Sequence, residues 1–161
     1  MQDMLVKLYT LPPLEPAVQQ QKTAGIEIRR ALAPEKYVVI PWVGQHFYQE
    51  WQSECEVAFT RQPAACFVAI EKGQLIGFAC HDTTCQNFFG PTGVTPAGQG
   101  RGTGKALLLA CLHAMAAQGY AYAIIGGVGP VEFYEKTVGA TLIPDSTPGI
   151  FGGMLRGQRD Y

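Results

Sequence analysis

Between Gly93 and Lys105 the chain reads GVTPAGQGRGTGK, with five glycines, and an almost unbroken apolar run follows to Met115. Glycine weakens an element interior and is kept where the backbone must turn tightly or let something approach closely. A strand, a glycine-rich turn and a helix start together make an anion site. The first N–H groups of a helix have no partner inside it, and the helix dipole adds partial positive charge there. The chemistry these residues offer is therefore the holding of a phosphate group by peptide amides. Spacing narrows the ligand. A Walker loop would need glycine at Gln99 and Ser or Thr at Ala106, so it fails twice. A dinucleotide fingerprint G-x-G-x-x-G begun at Gly98, Gly100 or Gly102 ends on Thr103, Lys105 or Leu107, and fails in each register.

Positioning such a loop takes a folded core. The 161 residues are about one domain's worth, and 47% hydrophobic with 16% charged residues suffices to bury one. A net charge of -1 argues against broad nucleic-acid binding, which needs clustered Lys and Arg. No apolar run is long enough to span a membrane, and MQDMLVKLYTLPP lacks the continuous apolar segment of a secretory signal. Five cysteines, an odd number scattered among apolar neighbours, read as reduced thiols, so a cytoplasmic location is expected. The run CHDTTC, Cys80 to Cys85, lacks both close CxxC spacing and a second ligand pair; no metal is expected.

The element pattern is that of an α/β (α+β) chain. Residues 1–24 read as an N-terminal extension, with a strand in MLVKLYTL, a stiff PPLEP break and a short polar helix or linker after it. Residues 25–161 read as a single domain. GIEIRRAL is its first strand. PEKYVVIPWV starts helical with Pro34 in its first turn and is expected to be interrupted by Pro41. A second helix carries Phe47, Trp51, Glu54, Cys55, Ala58 and Phe59 at helical spacing. CFVAIEKGQLIGFACHD is a hairpin turning at Glu71-Lys72-Gly73. NFFGPTGV is a strand disturbed by Gly90, Pro91 and Gly93, with a bulge expected near Gly93 and Val94. The glycine loop and its apolar helix follow, ended by Gly119. YAYAIIGG is a buried strand, PVEFYEKTV a short helix, and ATLIP and GIFGGML two closing strands. The sum is a mixed sheet with helices on both faces.

Gln99-Gly100-Arg101-Gly102-Thr103-Gly104 resembles the [QR]-x-x-G-x-[GA] signature of the GNAT superfamily of N-acetyltransferases. GVTP before it resembles that family's V-x-P at the end of the fourth strand, FYEK its later helix, and IEIRRAL its first strand. The resemblance covers about residues 25 to 155. It implies a mostly antiparallel twisted sheet splayed between the fourth and fifth strands of that domain, with acetyl-CoA or another short acyl-CoA as donor and no metal. It further implies that Gly93, Val94, Thr95 and the stretch Gln99, Gly100, Arg101, Gly102, Thr103, Gly104 and Lys105 hold the cofactor. The amides grip the pyrophosphate, and the Val94 N–H polarises the thioester carbonyl.

The resemblance implies direct attack by an amine with no acyl-enzyme. Tyr134 matches the tyrosine of FYEK and is the expected general acid toward the leaving sulfur; a phenol stays protonated at neutral pH. Glu54, on the helix bordering the acceptor side in this family, is the expected general base, its pKa open to a rise amid Trp51, Cys55 and Phe59. His81, Asp82 and a water chain are its rivals. Gly127 stands where many members have a pantetheine-binding asparagine, and an extra residue separates FYEK from Gly139. The expected acceptor is a small-molecule amine or a protein amino group, with no nucleic acid or membrane partner. A homodimer through strand edges is compatible with the pattern. The alternative is an inactive acyl-CoA-binding sensor or scaffold.

Overall fold

A computed structural model of the chain describes residues 1–157. Its seven strands form one sheet: β1 (Met4–Lys7), β2 (Ile26–Arg30), β3 (Cys66–Glu71), β4 (Gln74–His81), β5 (Phe88–Val94), β6 (Tyr122–Ile125) and β7 (Thr141–Leu142). Their spatial order is β2-β3-β4-β5-β6-β1-β7. Every pairing is antiparallel except β5 with β6. The β3–β4 hairpin turns at Lys72-Gly73, both at positive φ, which glycine adopts at little cost. Five α-helices accompany the sheet: α1 (Leu14–Thr23), α2 (Lys36–His46), α3 (Gln49–Ala58), α4 (Thr103–Ala117) and α5 (Val131–Val138). None is long and apolar enough to cross a membrane.

The core has two layers, one on each face of the sheet. On the first, α4 is sandwiched between the strands and α1, which explains why it is apolar on every side. Leu107, Leu108, Leu109, Leu112 and Met115 are all buried, and Leu14, Ala17 and Val18 of α1 close over them. Full burial of each such leucine contributes about 1.5–3 kcal/mol before entropy. On the second face, α2 and α3 pack Val39, Ile40, Val43, Cys55 and Ala58 against Val68, Phe78 and Cys80.

Several sequence expectations change. Pro41 does not interrupt its helix; α2 runs through it to His46. The lost N–H leaves only one bond unmade, and Ile40 and Val43 remain anchored in the core beside it. The bulge lies at Gly90–Pro91, not near Gly93: the β4–β5 register shifts between the pairs Ala79↔Thr92 and His81↔Phe89, and Gly90 sits at φ 121. The second closing strand does not form. Residues 149–151 make one 3-10 turn, with Gly149 and Gly153 at positive φ, and ATLIP yields only the two residues of β7.

The first 24 residues supply β1 and α1. β1 fills the slot between β6 and β7, with Met4↔Ile125 and Val6↔Ala123 in register and Met4 and Val6 buried. It is therefore no free edge for dimerisation; the edges are β2 and β7. Deleting residues 1–24 removes an interior strand, the partner of both β6 and β7, and uncovers α4. The expected outcome is a chain without cooperative thermal unfolding by circular dichroism, in contrast to the sharp transition of the full chain.

Candidate active site

The glycine loop is built so that its amides are left over. Gly100 (φ 74) and Gly102 (φ 80) both take left-handed conformations that turn the chain into α4, and Gly102 is the N-cap. No side chain caps the helix, and the first helical bond runs from the Ala106 amide to the Gly102 carbonyl at 3.1 Å. Among the described residues, the amides of Gly100, Arg101, Gly102, Thr103, Gly104 and Lys105 find no acceptor. Six unbonded donors around a helix start make an anion cradle.

The loop is held from behind. Gln21 of α1 is fully buried; its Nε2 donates to the Arg101 carbonyl (2.8 Å) and its Oε1 accepts from the Thr103 hydroxyl (2.7 Å). Leu14, Ala17, Val18 and Gln21 share one α1 face, so a polar residue on an apolar stripe was the sequence signal for this support. Gln99 Nε2 donates to the Val94 carbonyl (3.1 Å), and the Thr95 amide to Ile76 (2.9 Å), fixing the loop to the end of β5. Arg101 turns its guanidinium to Glu71 in a two-pronged ion pair, NH1 to Oε1 at 3.1 Å, whereas Lys105 is exposed in the first turn of α4.

Beside the loop the sheet opens. β5 and β6 pair only at Phe88↔Ile124 and Phe89↔Ile125, while β5 continues to Val94. Ladder alternation fixes which amides face the gap. The Thr95–Ile76 bond makes 78/93 a bonded pair and 77/94 a non-bonded one, so Val94 presents its N–H toward the side that β6 has left. Gly93 has a different reason from phosphate contact: a Cβ there would lie 2.6 Å from the Phe47 ring. Across the gap, Gly127 (φ 57) donates its amide to Asp3 Oδ1 (2.8 Å), and a Cβ on Gly126 would meet Phe88 at 3.0 Å. The position of the family's asparagine is thus a left-handed glycine tied to the N-terminal segment.

Tyr134 lies at the apex of this gap. Its ring stands edge-on to Phe89, the last β5 residue paired with β6, with centroids 6.4 Å apart. Burial pushes its phenol up to about 12, so it is fully protonated at neutral pH. Glu54 on α3 is half-buried; burial raises its pKa despite the hydrogen bond that the Thr84 hydroxyl donates to Oε1. One turn earlier, Trp51 stacks near Phe47 (5.5 Å), which itself covers Gly93. The structure thus joins α3 to the end of β5 through two aromatic rings. His81 and Asp82 form a sealed dyad instead: His81 Nδ1 is 2.6 Å from Asp82 Oδ2, and Asp82 Oδ1 accepts from the Asn87 amide (2.7 Å). His81 is entirely buried, its Nε2 has no partner among the described residues, and burial lowers its pKa. Asp3, Gln21, Phe47 and Glu71 are the site residues that sequence reasoning missed.

Residues 62–137, from the hairpin through the loop to FYEK, match the family model of the Acetyltransferase (GNAT) domain. No curated protein sequence matches the chain. Among solved structures, the GCN5-related glucosamine N-acetyltransferase region of a fungal multi-domain GH3 β-N-acetylglucosaminidase superposes with a TM-score of 0.71 at 14% identity, over 88% of this chain and 19% of that one. A GCN5-related N-acetyltransferase from Sphaerobacter thermophilus gives 0.64 at 19% identity, over 88% and 48%. A GNAT family acetyltransferase from Brucella melitensis in complex with acetyl-CoA gives 0.51 at 20% identity, over 73% and 86%. The chain spans about half or less of the first two structures. Residues 62–137 thus match the GNAT acetyltransferase domain, and the chain shares the fold of solved GNAT structures, with the loop and the parted strands inside or beside the matched segment.

Proposed function

We propose that this chain transfers an acetyl group from acetyl-CoA to a primary amine by direct attack within a ternary complex. The observation that carries the reading is the arc of unbonded amides from Gly100 to Lys105 beside a sheet seam that opens past Phe89. Those amides fit a pyrophosphate, and the exposed Lys105 adds a cation that Arg101, occupied by Glu71, does not. The seam is lined by strand amides on the β5 side and by Gly126–Gly127 backbone on the other, which suits an amide-bearing pantetheine arm. Acetyl-CoA supplies the activated thioester. The Val94 N–H is aimed to hydrogen-bond the thioester carbonyl oxygen as charge develops there. Tyr134 holds a proton at the seam apex for the departing sulfur. Glu54, raised by burial, is the base for an ammonium whose ordinary pKa is about 10.4.

Three measurements test this. Calorimetric titration with coenzyme A is expected to give one site per chain, and Gly102→Val, which strains a left-handed position by about 1–2 kcal/mol, is expected to weaken it about tenfold or more. Binding that survives unchanged in the variant removes the loop from the site. Binding without thiol release against any amine supports a sensor instead. Tyr134→Phe is expected to lower kcat about a hundredfold while leaving coenzyme A affinity intact; an unchanged kcat refutes the acid role.

Glu54→Gln is expected to lower kcat and to abolish the acidic limb of the pH profile. In the wild type that limb falls as pH drops through a value above the usual carboxylate range, because the base is lost on protonation. The same variant is expected to melt higher at neutral pH. Folding favours the protonated carboxyl when its pKa is raised, so the charged form costs stability that a neutral amide does not. A lower Tm with unchanged kcat would make Glu54 a packing residue only.

A further inference from the structure

Three cysteines distant in sequence meet in the layer between the sheet and α3. Cys55 comes from α3, Cys66 opens β3 and Cys80 lies near the end of β4; all are fully buried, and their sulfurs lie within 4.8 Å of one another. Cys66 and Cys80 face each other across the antiparallel ladder. The His81 amide donates to the Ala65 carbonyl, which makes 65/81 the bonded pair and leaves 66/80 at a non-bonded position, where opposed side chains come closest. Cys55 and Ala58 are the buried face of α3, and that face sets the third sulfur on the pair. Around one centre with bonds of about 2.3 Å, three sulfurs stand about 3.8–4.0 Å apart on a tetrahedral or planar ion and about 3.4 Å apart on a pyramidal one, so the cluster reaches a three-sulfur ligand set by closing at most about 1.4 Å.

The surroundings select the ligand. Val43, Ala58, Val68 and Phe78 share the same apolar cluster, and among the described residues no imidazole or carboxylate joins the sulfurs as a fourth donor. A structural zinc takes four. Three thiolates on a divalent ion leave one negative charge, and on a copper(I) ion two, in a region where unpaired charge is expensive. A trivalent arsenical meets all these conditions.

We infer that Cys55, Cys66 and Cys80 form a binding site for trivalent arsenic, with arsenite as its simplest ligand. As(OH)3 and three thiols exchange to As(SR)3 and three waters: three As–O and three S–H bonds break, three As–S and three O–H bonds form. Arsenic stays trivalent and the product is neutral. The site is separate from the acyl-transfer reading, and its occupancy pins α3 to β3 and β4.

The test uses the full chain, reduced with a phosphine, incubated with sodium arsenite and desalted. Expected are one arsenic per chain by mass spectrometry, three sulfur neighbours by X-ray absorption, and a Tm raised by several degrees. Cys85→Ser, at an exposed thiol, is expected to retain arsenic fully, and Cys55→Ala to retain at least tenfold less. If the Cys55 variant does not fold, the sulfur count on the unaltered chain decides. Failure to retain arsenic, coordination by two sulfurs, equal retention in Cys55→Ala, or stronger retention of zinc or cadmium would each overturn the assignment.

Discussion

Two residue pairs, Phe88↔Ile124 and Phe89↔Ile125, join the two halves of the sheet. Four strands lie on one side of that junction and three on the other. A seam closed so briefly leaves strand amides unmatched past Phe89, and unmatched backbone is costly unless water or a ligand satisfies it. The rest of the fold compensates. α4 bridges the opening, with every residue from Ala106 to Leu112 buried between the sheet and α1. β1 extends the short β6, and Asp3 and Gln2 take the amides of Gly127 and Val128 just beyond it. The opening is rigid because its rims are fastened elsewhere.

The same economy explains the loop. Six donors at one helix start, left without acceptors, would be free to fray if nothing else held the backbone. Gln21 supplies that hold through a carbonyl and a hydroxyl, Arg101 O and Thr103 Oγ1, rather than through the amides themselves. The support therefore fixes the loop without consuming what it offers. The Arg101–Glu71 ion pair works in the same sense, clamping the loop to the β3–β4 turn. Both partners are partly exposed, so its energetic contribution is small and its role is positional.

The parts legible in the sequence are those that local backbone physics decides. Gly100 and Gly102 announce left-handed turns, Lys72-Gly73 a hairpin, and the apolar run after Lys105 a helix buried along most of its length. What was not legible depends on partners far along the chain. β1 pairs with β6 more than a hundred positions away, and nothing within MLVK states that it enters the sheet between two later strands. Gly93 and Gly90 looked alike as strand breakers. One is small because Phe47 rests on it, the other because its φ is 121, and only the packed structure separates close approach from conformation. Pro41 read as a break because the sequence shows the missing N–H and not the core contacts of Ile40 and Val43 that outweigh it.

Gly127 illustrates how a departure from family pattern is absorbed. The residue sits at φ 57 with the Phe151 ring 3.6 Å from any Cβ, so an asparagine there would be strained. The conformation that ties its N–H to Asp3 is one that glycine reaches freely and most side chains do not. With glycine at this position the main-chain N–H is spent on Asp3, and the rim of the seam is fastened to the N-terminal segment. The seam then depends on main-chain groups along both rims, which do not rotate away, and on the N-terminal segment that holds one of them in place.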